Sequence, residues 1–293
     1  MFTYKMGICF SCLDKTLVQV VPQFSPAVAV NRKKRIIPLE DQPHLLDLSL
    51  CEMSIMSSHN SYIRTLQHLG ESSTEALQIA LDYGARMLEL DVYRDREGVF
   101  VAHGKEETPN DIITTTKLRL GTALEFISHA AFAQNNDPLF LALELLVHNE
   151  ESACDQIAEL LTIHLGSRLY NGVLTGETKM RDLIGKVVLF SGGGAVGRLE
   201  SMIHTKWSNI FQNVSSNISP DLLHGEGTCI RVYPAGNVQG ALSLNFDPVP
   251  YLLYGATFVA LNVCMADAHM AMYTAWFEQS SFMTKVLRKT ITD

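Results

Sequence analysis

Beyond about residue 45 the chain alternates short, nearly continuous apolar runs with longer stretches in which apolar positions recur every three or four residues. The runs cover Ile55 to His59, Arg86 to Val92, Val99 to His103, Leu139 to Glu144, Lys186 to Phe190, Cys229 to Tyr233 and Thr257 to Val263. Their length and β-branched content predict buried strands. Between several of them lie Ala76 to Tyr83, Gly121 to Phe132 and Glu151 to Leu165, whose spacing predicts amphipathic helices. Strand and helix in repetition predict an α/β fold with a largely parallel sheet.

Two stretches depart from the pattern. Residues 1 to about 45 show no clear period and read as a lead-in ending near Pro38 and Pro43, so the fold is expected to start after them. Residues 191 to about 225 are richer in Gly, Ser and Asn, which predicts a linker or surface excursion between two parts of one barrel.

Ser72-x-x-Glu75 reads as a capping box opening a helix that Gly84 ends in the left-handed conformation. In the strand that follows, Leu88, Leu90 and Val92 share one face, and Glu89 and Asp91 the other. Two carboxylates on one face of an apolar strand repel each other and require a compensating cation.

With 293 residues, 47% of them hydrophobic and 18% charged, the chain can fill a sizeable core. A net charge of -8 argues against broad nucleic-acid binding, which needs a basic surface, and requires any membrane contact to be local. No run reaches the roughly 18 to 20 apolar residues of a spanning helix, and no apolar run follows the N-terminus as a secretory signal would. A soluble, intracellular protein is the expectation. Its six cysteines, at 9, 12, 51, 154, 229 and 264, lack a framework-like spacing and are expected to be free thiols. Met6-Gly7-Ile8-Cys9-Phe10-Ser11-Cys12 would suit myristoylation and palmitoylation if translation began at Met6, and Arg32 to Arg35 would add a basic membrane signal.

The chemistry concentrates at strand ends: His59 and Asn60 after the first, Glu89 and Asp91 in the second, His103 at the third and Glu144 at the fourth. In a parallel barrel, functional groups gather at the C-terminal ends of the strands. Taken singly, either histidine reads equally well as a buried, hydrogen-bonded residue and Glu144 as a salt-bridge partner. Together, an amide and three carboxylates without cysteine suit a hard cation, calcium before zinc, with two imidazoles beside it for acid chemistry or charge stabilisation.

Ser57 to Tyr62, Gly84 to Val92, His103-Gly104 and Leu141 to Glu144 resemble, in order and spacing, the X half of the catalytic barrel of eukaryotic phosphoinositide-specific phospholipases C. Arg231 to Gly236, Asn245 to Pro248 and Val259 to Asn262 resemble the Y half. The resemblance implies a (β/α)8 TIM-type barrel over residues 46 to 293, with an X half to about 190, a short linker to about 225 and a Y half beyond.

It implies calcium held by Asn60, Glu89, Asp91 and Glu144, with Glu89 or Glu144 also taking the proton from the inositol 2-hydroxyl. It further implies that His59 stabilises charge on the phosphorus, that His103 protonates the departing diacylglycerol oxygen, and that Arg231 and Tyr233 contact the headgroup. A cyclic inositol phosphate, opened by water, would be the intermediate. The substrate would be a phosphoinositide met at the inner face of a membrane by a cytoplasmic, peripheral protein, with no protein partner specified.

Where the family has lysines for ring phosphates, this chain reads Phe190-Ser191-Gly192, which predicts weaker preference for bisphosphorylated lipid. Leu145-Leu146-Val147 replaces polar residues of relatives and reads either as dipping into a bilayer or as packing inward. The length leaves no room for the accessory modules that usually flank this barrel, so a minimal form is expected. Two other readings are a catalytically silent phosphoinositide-binding or scaffold protein of the same fold, and a related barrel phosphodiesterase. The two histidines and four candidate ligands weigh against the first, and the segment Arg231 to Gly236 against the second.

Overall fold

A computed structural model describes residues 36–65, 70–105, 108–206, 211–223, 227–235 and 244–285. These lie in one unit, Lys33–Asp293. The lipidation motif at Met6 to Cys12 and the basic run Arg32 to Arg35 fall outside the described residues.

The frame is a sheet whose main path has eight strands: β1 (Met53–Ser58), β2 (Met87–Asp95), β3 (Leu139–Leu145), β4 (Val187–Ser191), β5 (Thr205–Lys206), β6 (Phe211–Ser215), β7 (Cys229–Tyr233) and β8 (Phe258–Leu261). In space they run β5-β4-β3-β2-β1-β8-β7-β6, and every neighbouring pair is parallel. Helices α1 (Thr74–Tyr83), α2 (Leu120–Ala130), α3 (Glu151–Leu165), α4 (Gly197–Met202), α5 (Val249–Leu253) and α6 (Ala268–Trp276) lie between strands or after the last. This is the TIM-type α/β barrel expected, with its edges β5 and β6 on either side of residues 207–210.

The period of two along each strand divides the apolar side chains between two cores. Leu88, Leu90, Leu141, Leu143, Leu189, Val232 and Val259 face outward and pack with Leu77, Leu124 and Ile157 of the helices. Met53, Ile55, Met87, Phe140, Phe190 and Phe258 face inward. Phe140 lies 5.7 Å from Phe190 and 5.3 Å from Phe258, centroid to centroid, so an aromatic plug closes the barrel interior. Further along the same inward face the side chains turn polar, with Glu89, Asp91, Glu144 and Arg231 in place of the phenylalanines. A dry floor with a polar layer above it is what positions the site.

Several expectations need correction. Val99 to His103 does not supply a barrel strand: Gly98–Val101 folds back antiparallel on β2. The turn at Asp95 to Gly98, with Gly98 at φ 115, is too short for a parallel crossover. The stretch 191 to 225, read as a linker, contributes α4, β5 and β6 to the fold. Polar composition there misled because β5 is two residues long and β6 is an edge strand.

The fold also begins before residue 46. Leu39 and Leu45 are buried beneath the barrel, and the Leu39 N–H donates to the carboxylate of buried Asp137. The helix expected to cap at Ser72 caps one residue later, where Ser73 Oγ accepts from Ala76 N; Gly84 ends it at φ 97 as expected.

The cysteines are not all free. Cys51 and Cys229 form a buried disulfide with Cα atoms 4.8 Å apart across 178 residues, while Cys154 and Cys264 remain thiols. The barrel floor brings the pair together, a proximity that no local spacing encodes. Of the apolar run after Glu144, Val147 is buried, Leu145 packs on the outer core and Leu146 on Tyr93, Phe100 and Ala102, so the run packs inward. Among the described residues no helix is long and apolar enough to cross a membrane.

Candidate active site

The carboxylates come from two adjacent strands. In the parallel register of β2 and β3, Asp91 stands beside Glu144 and Glu89 beside Ala142, so all three acids enter the barrel at one end. One oxygen from each lies within 4.8 Å of the others; Glu89 and Asp91 are buried, and Glu144 stands more open to solvent. Asn60 follows β1 at φ 41, a left-handed conformation that asparagine tolerates, and its backbone N–H lies 3.4 Å from Glu89 Oε2. Ser61 fixes β1 to β2 at this point: its N–H donates to the Glu89 carbonyl, and its Oγ accepts from Glu89 N.

The two histidines flank the acids. His59 Nδ1 donates to Asn262 Oδ1 at 2.8 Å, which fixes the Nδ1–H tautomer and turns Nε2 toward Glu89 Oε2 at 4.0 Å. Burial lowers the His59 pKa, and Glu89 opposes that shift. His103 Nδ1 lies 3.2 Å from Asp91 Oδ2 and 3.4 Å from Asn60 Nδ2, and the nearer carboxylate selects the Nδ1–H form. The ring is held from behind, because Tyr62 Oη donates to the Ala102 carbonyl and the His103 N–H donates to Thr114 Oγ1.

Glu89 receives a cation from β7, Arg231, while Asp91 faces His103. The Arg231 guanidinium ion-pairs with Glu89, donates to Asn213 Oδ1 at 2.9 Å and lies 5.2 Å from the Tyr233 ring centre. Glu89 and Arg231 are each 4% exposed, so the pair is fully desolvated. Burial pushes the Glu89 carboxyl up, but Arg231 and His59 outweigh it and hold it below its ordinary value. Ser191, at the end of β4, turns its Oγ back to the Gly193 carbonyl and N–H.

Every residue expected from the sequence therefore reaches the same end of the barrel. The sequence reading missed the supporting residues. Asn262 follows β8 as Asn60 follows β1, a positional signal that was available. Asn213 had none, because it lies in the stretch read as linker. An oxygen-only donor set of three acids and an amide, two of the acids buried, fits a hard divalent ion and not a thiolate-seeking one.

Residues 46–191 match the family Phosphatidylinositol-specific phospholipase C, X domain, and residues 195–287 match its Y domain. The chain is 31% identical over 172 residues to 1-phosphatidylinositol 4,5-bisphosphate phosphodiesterase delta-4 of Xenopus laevis, covering 57% of this chain and 21% of that protein. It is 32% identical over 135 residues to Phosphoinositide phospholipase C 4 of Arabidopsis thaliana, covering 45% of this chain and again 21% of the relative. The chain thus spans about a fifth of the length of these relatives.

In fold it is similar to PLC21 of L. pealei, with a TM-score of 0.69 and 19% identity over 82% of this chain and 37% of that one. A calcium-dependent phosphoinositol-specific phospholipase C from a Gram-negative bacterium, Pseudomonas sp, superposes with a TM-score of 0.52 and 13% identity over 86% of this chain and 99% of its own. With both halves matched in order along one barrel, the chain belongs to the phosphatidylinositol-specific phospholipase C family.

Proposed function

We propose that this chain hydrolyses phosphatidylinositol or its phosphorylated forms to diacylglycerol and inositol phosphate through a cyclic intermediate, using calcium. The observation that carries the reading is the cluster of Glu89, Asp91 and Glu144 set between two imidazoles of defined tautomer. Asn60, Glu89, Asp91 and Glu144 would hold the ion. When bound it would lower the pKa of the attacking 2-hydroxyl and screen phosphate charge.

The remaining steps belong to the protein. Glu144 is the better base, because Glu89 is committed to Arg231. It takes the 2-hydroxyl proton as that oxygen attacks the neighbouring phosphorus. His59, held by Asn262, donates from Nε2 to a phosphate oxygen when protonated. His103, held through Nδ1 by Asp91, delivers the Nε2 proton to the diacylglycerol oxygen. Water then opens the cyclic phosphate with acid and base exchanged. Arg231 and Tyr233 form the wall against which the inositol would lie.

Membrane docking is read from the rim. Ile218, Leu222 and Leu244 are 43%, 63% and 55% exposed and sit on the segments that follow β6 and β7 at the site's end of the barrel. Apolar side chains there suit a lipid surface, with the substrate drawn from it. The net charge makes a nucleic-acid substrate a poor alternative.

The test is hydrolysis of liposomes in calcium or chelator. Turnover should vanish in chelator and fall by about 10²- to 10⁴-fold in His59→Ala and His103→Ala. Turnover that persists in chelator would remove the metal reading, and none under any condition would favour a silent binding protein. Because Phe190-Ser191-Gly192 carries no cation and Ser191 is turned into its own loop, preference for the bisphosphate should be weak, with relatively more activity on phosphatidylinositol and its monophosphate. Strong bisphosphate selectivity would overturn that expectation.

A further inference from the structure

Asn245 lies outside the acid and histidine cluster, yet it reaches the site through one intermediary. Its Oδ1 accepts from the Asn262 N–H at 2.7 Å, and its Nδ2 donates to the Asn262 carbonyl at 3.3 Å. Both main-chain polar groups of Asn262 therefore bond the same side-chain amide, 6% exposed, from 17 residues earlier in the chain; the carbonyl also accepts from the Met265 N–H at 2.9 Å, whereas the N–H is given to Asn245. Asn262 stands one residue past the end of β8, where the strand ladder has stopped. The amide of Asn245 takes the place of a neighbouring strand and prolongs the register by one residue.

Asn245 is itself fixed by its successors. Phe246 packs edge-on against Tyr251 at 5.2 Å, Asp247 Oδ1 accepts from Val249 N at 3.0 Å, and Tyr251 Oη donates to the carbonyls of Ser216 and Ile218. The start of α5 is thereby anchored to the segment after β6, and Asn245 is carried on that anchor.

The consequence falls on His59. Its Nδ1–H tautomer depends on Asn262 Oδ1 standing 2.8 Å away, and its own backbone N–H is held at 2.8 Å by Leu261, the residue before Asn262. We propose that Asn245 is a positioning residue for the phosphodiester reaction: by clamping the Asn262 backbone it holds the side-chain carbonyl that sets the tautomer and direction of His59. A small displacement of Asn262 would free the imidazole to exchange its proton between nitrogens, with Nε2 no longer directed into the site. A misplacement of about 1 Å is enough to lower a rate by about 10²-fold.

The kinetic part of this inference rests on the proposed activity; the tautomer part does not. Long-range 1H–15N correlation spectra of the full chain, at alkaline pH with the imidazoles neutral, report which nitrogen of His59 carries the proton, with His59→Gln identifying the signals. The parent should show the Nδ1–H form, Asn262→Ala should lose it, and Asn245→Ala should show both tautomers at a melting temperature that confirms folding. In the liposome assay Asn245→Ala should lower kcat by about 10- to 100-fold with KM little changed.

Should Asn245→Ala fail to fold, the isosteric Asn245→Asp is read instead. It keeps the acceptor for the Asn262 N–H but sets a carboxylate oxygen against the Asn262 carbonyl in place of the Nδ2 donor, a repulsion that shifts the segment, and the same mixture is expected. An unchanged tautomer in a folded variant overturns the proposal, whether or not kcat falls. So does a mixed tautomer with undiminished kcat in an active parent. If the parent hydrolyses no lipid, the activity reading fails, while a mixed tautomer in the variant still supports the clamp on His59.

Discussion

At the scale of single residues, the Arg231–Glu89 pair decides more than any other contact in the site. Both side chains are desolvated, and such a pair adds little net stability compared with apolar packing, whereas breaking it leaves a buried charge exposed to the full desolvation penalty. Arg231→Met should therefore lower stability by about 3 to 5 kcal/mol in chelator near neutral pH. Glu89 is held below its ordinary value in the parent, so its contribution is present above the unfolded carboxylate pKa of about 4.3 and is lost as pH falls through the lower folded value. In the variant that dependence should reverse, because protonating an unpaired Glu89 relieves the penalty. Urea denaturation of both proteins across pH measures this, and equal slopes would refute it. The sequence reading gave Glu89 and Asp91 a hard cation, calcium, and Arg231 to the headgroup; it did not anticipate Arg231 on Glu89, 142 residues away.

Among the elements, β4 and its short neighbour show how a side chain can stand in for a strand. His204 donates its backbone N–H to the Leu189 carbonyl, accepts the Leu189 N–H on Nδ1 at 2.9 Å and donates from Nε2 to the Tyr170 carbonyl. Only the neutral ring can do this, since a protonated Nδ1 cannot accept. Burial lowers the His204 pKa, against the hydrogen bond to the Tyr170 carbonyl. Its contribution is thus present above the unfolded value of about 6.5 and lost as pH falls through the lower folded one. His204→Asn keeps an acceptor near Nδ1 and cannot titrate. The parent should lose up to about 1.4 kcal/mol more per pH unit than this variant within that window. Parallel stability curves would show that the ring does not carry the edge. The periodic helices and the central strands were legible because each buries a regular face; β5, two residues long, and β6, at the edge, were not.

For the whole molecule, the notable link is Cys51–Cys229, which joins the segment before β1 to the first residue of β7. It ties the X half to the Y half at the barrel floor, opposite the site, and Gly176 lies so close over Cys51 that an added Cβ would stand 2.6 Å from its sulfur. A disulfide typically stabilises by roughly 2 to 4 kcal/mol. Cys51→Ser or a reductant should lower the melting temperature accordingly. A chain cut in the exposed segment 216–221 should migrate as one species without reductant and as two with it. Two fragments in the absence of reductant would show that the bridge is not formed.

The sequence by itself determined the α/β class, the strands that carry the acids and histidines, and the likeness to one family, because these are written in local periodicity and in short contiguous motifs. Tertiary structure alone decided which partner each of those groups receives: Arg231 on Glu89, Asn262 on His59, Asp91 on His103, and one cysteine on another. Asp91 and His103 meet across the antiparallel return of Gly98–Val101 on β2. The other pairings join residues far apart in the chain, which only the parallel register and the curl of the sheet bring within reach.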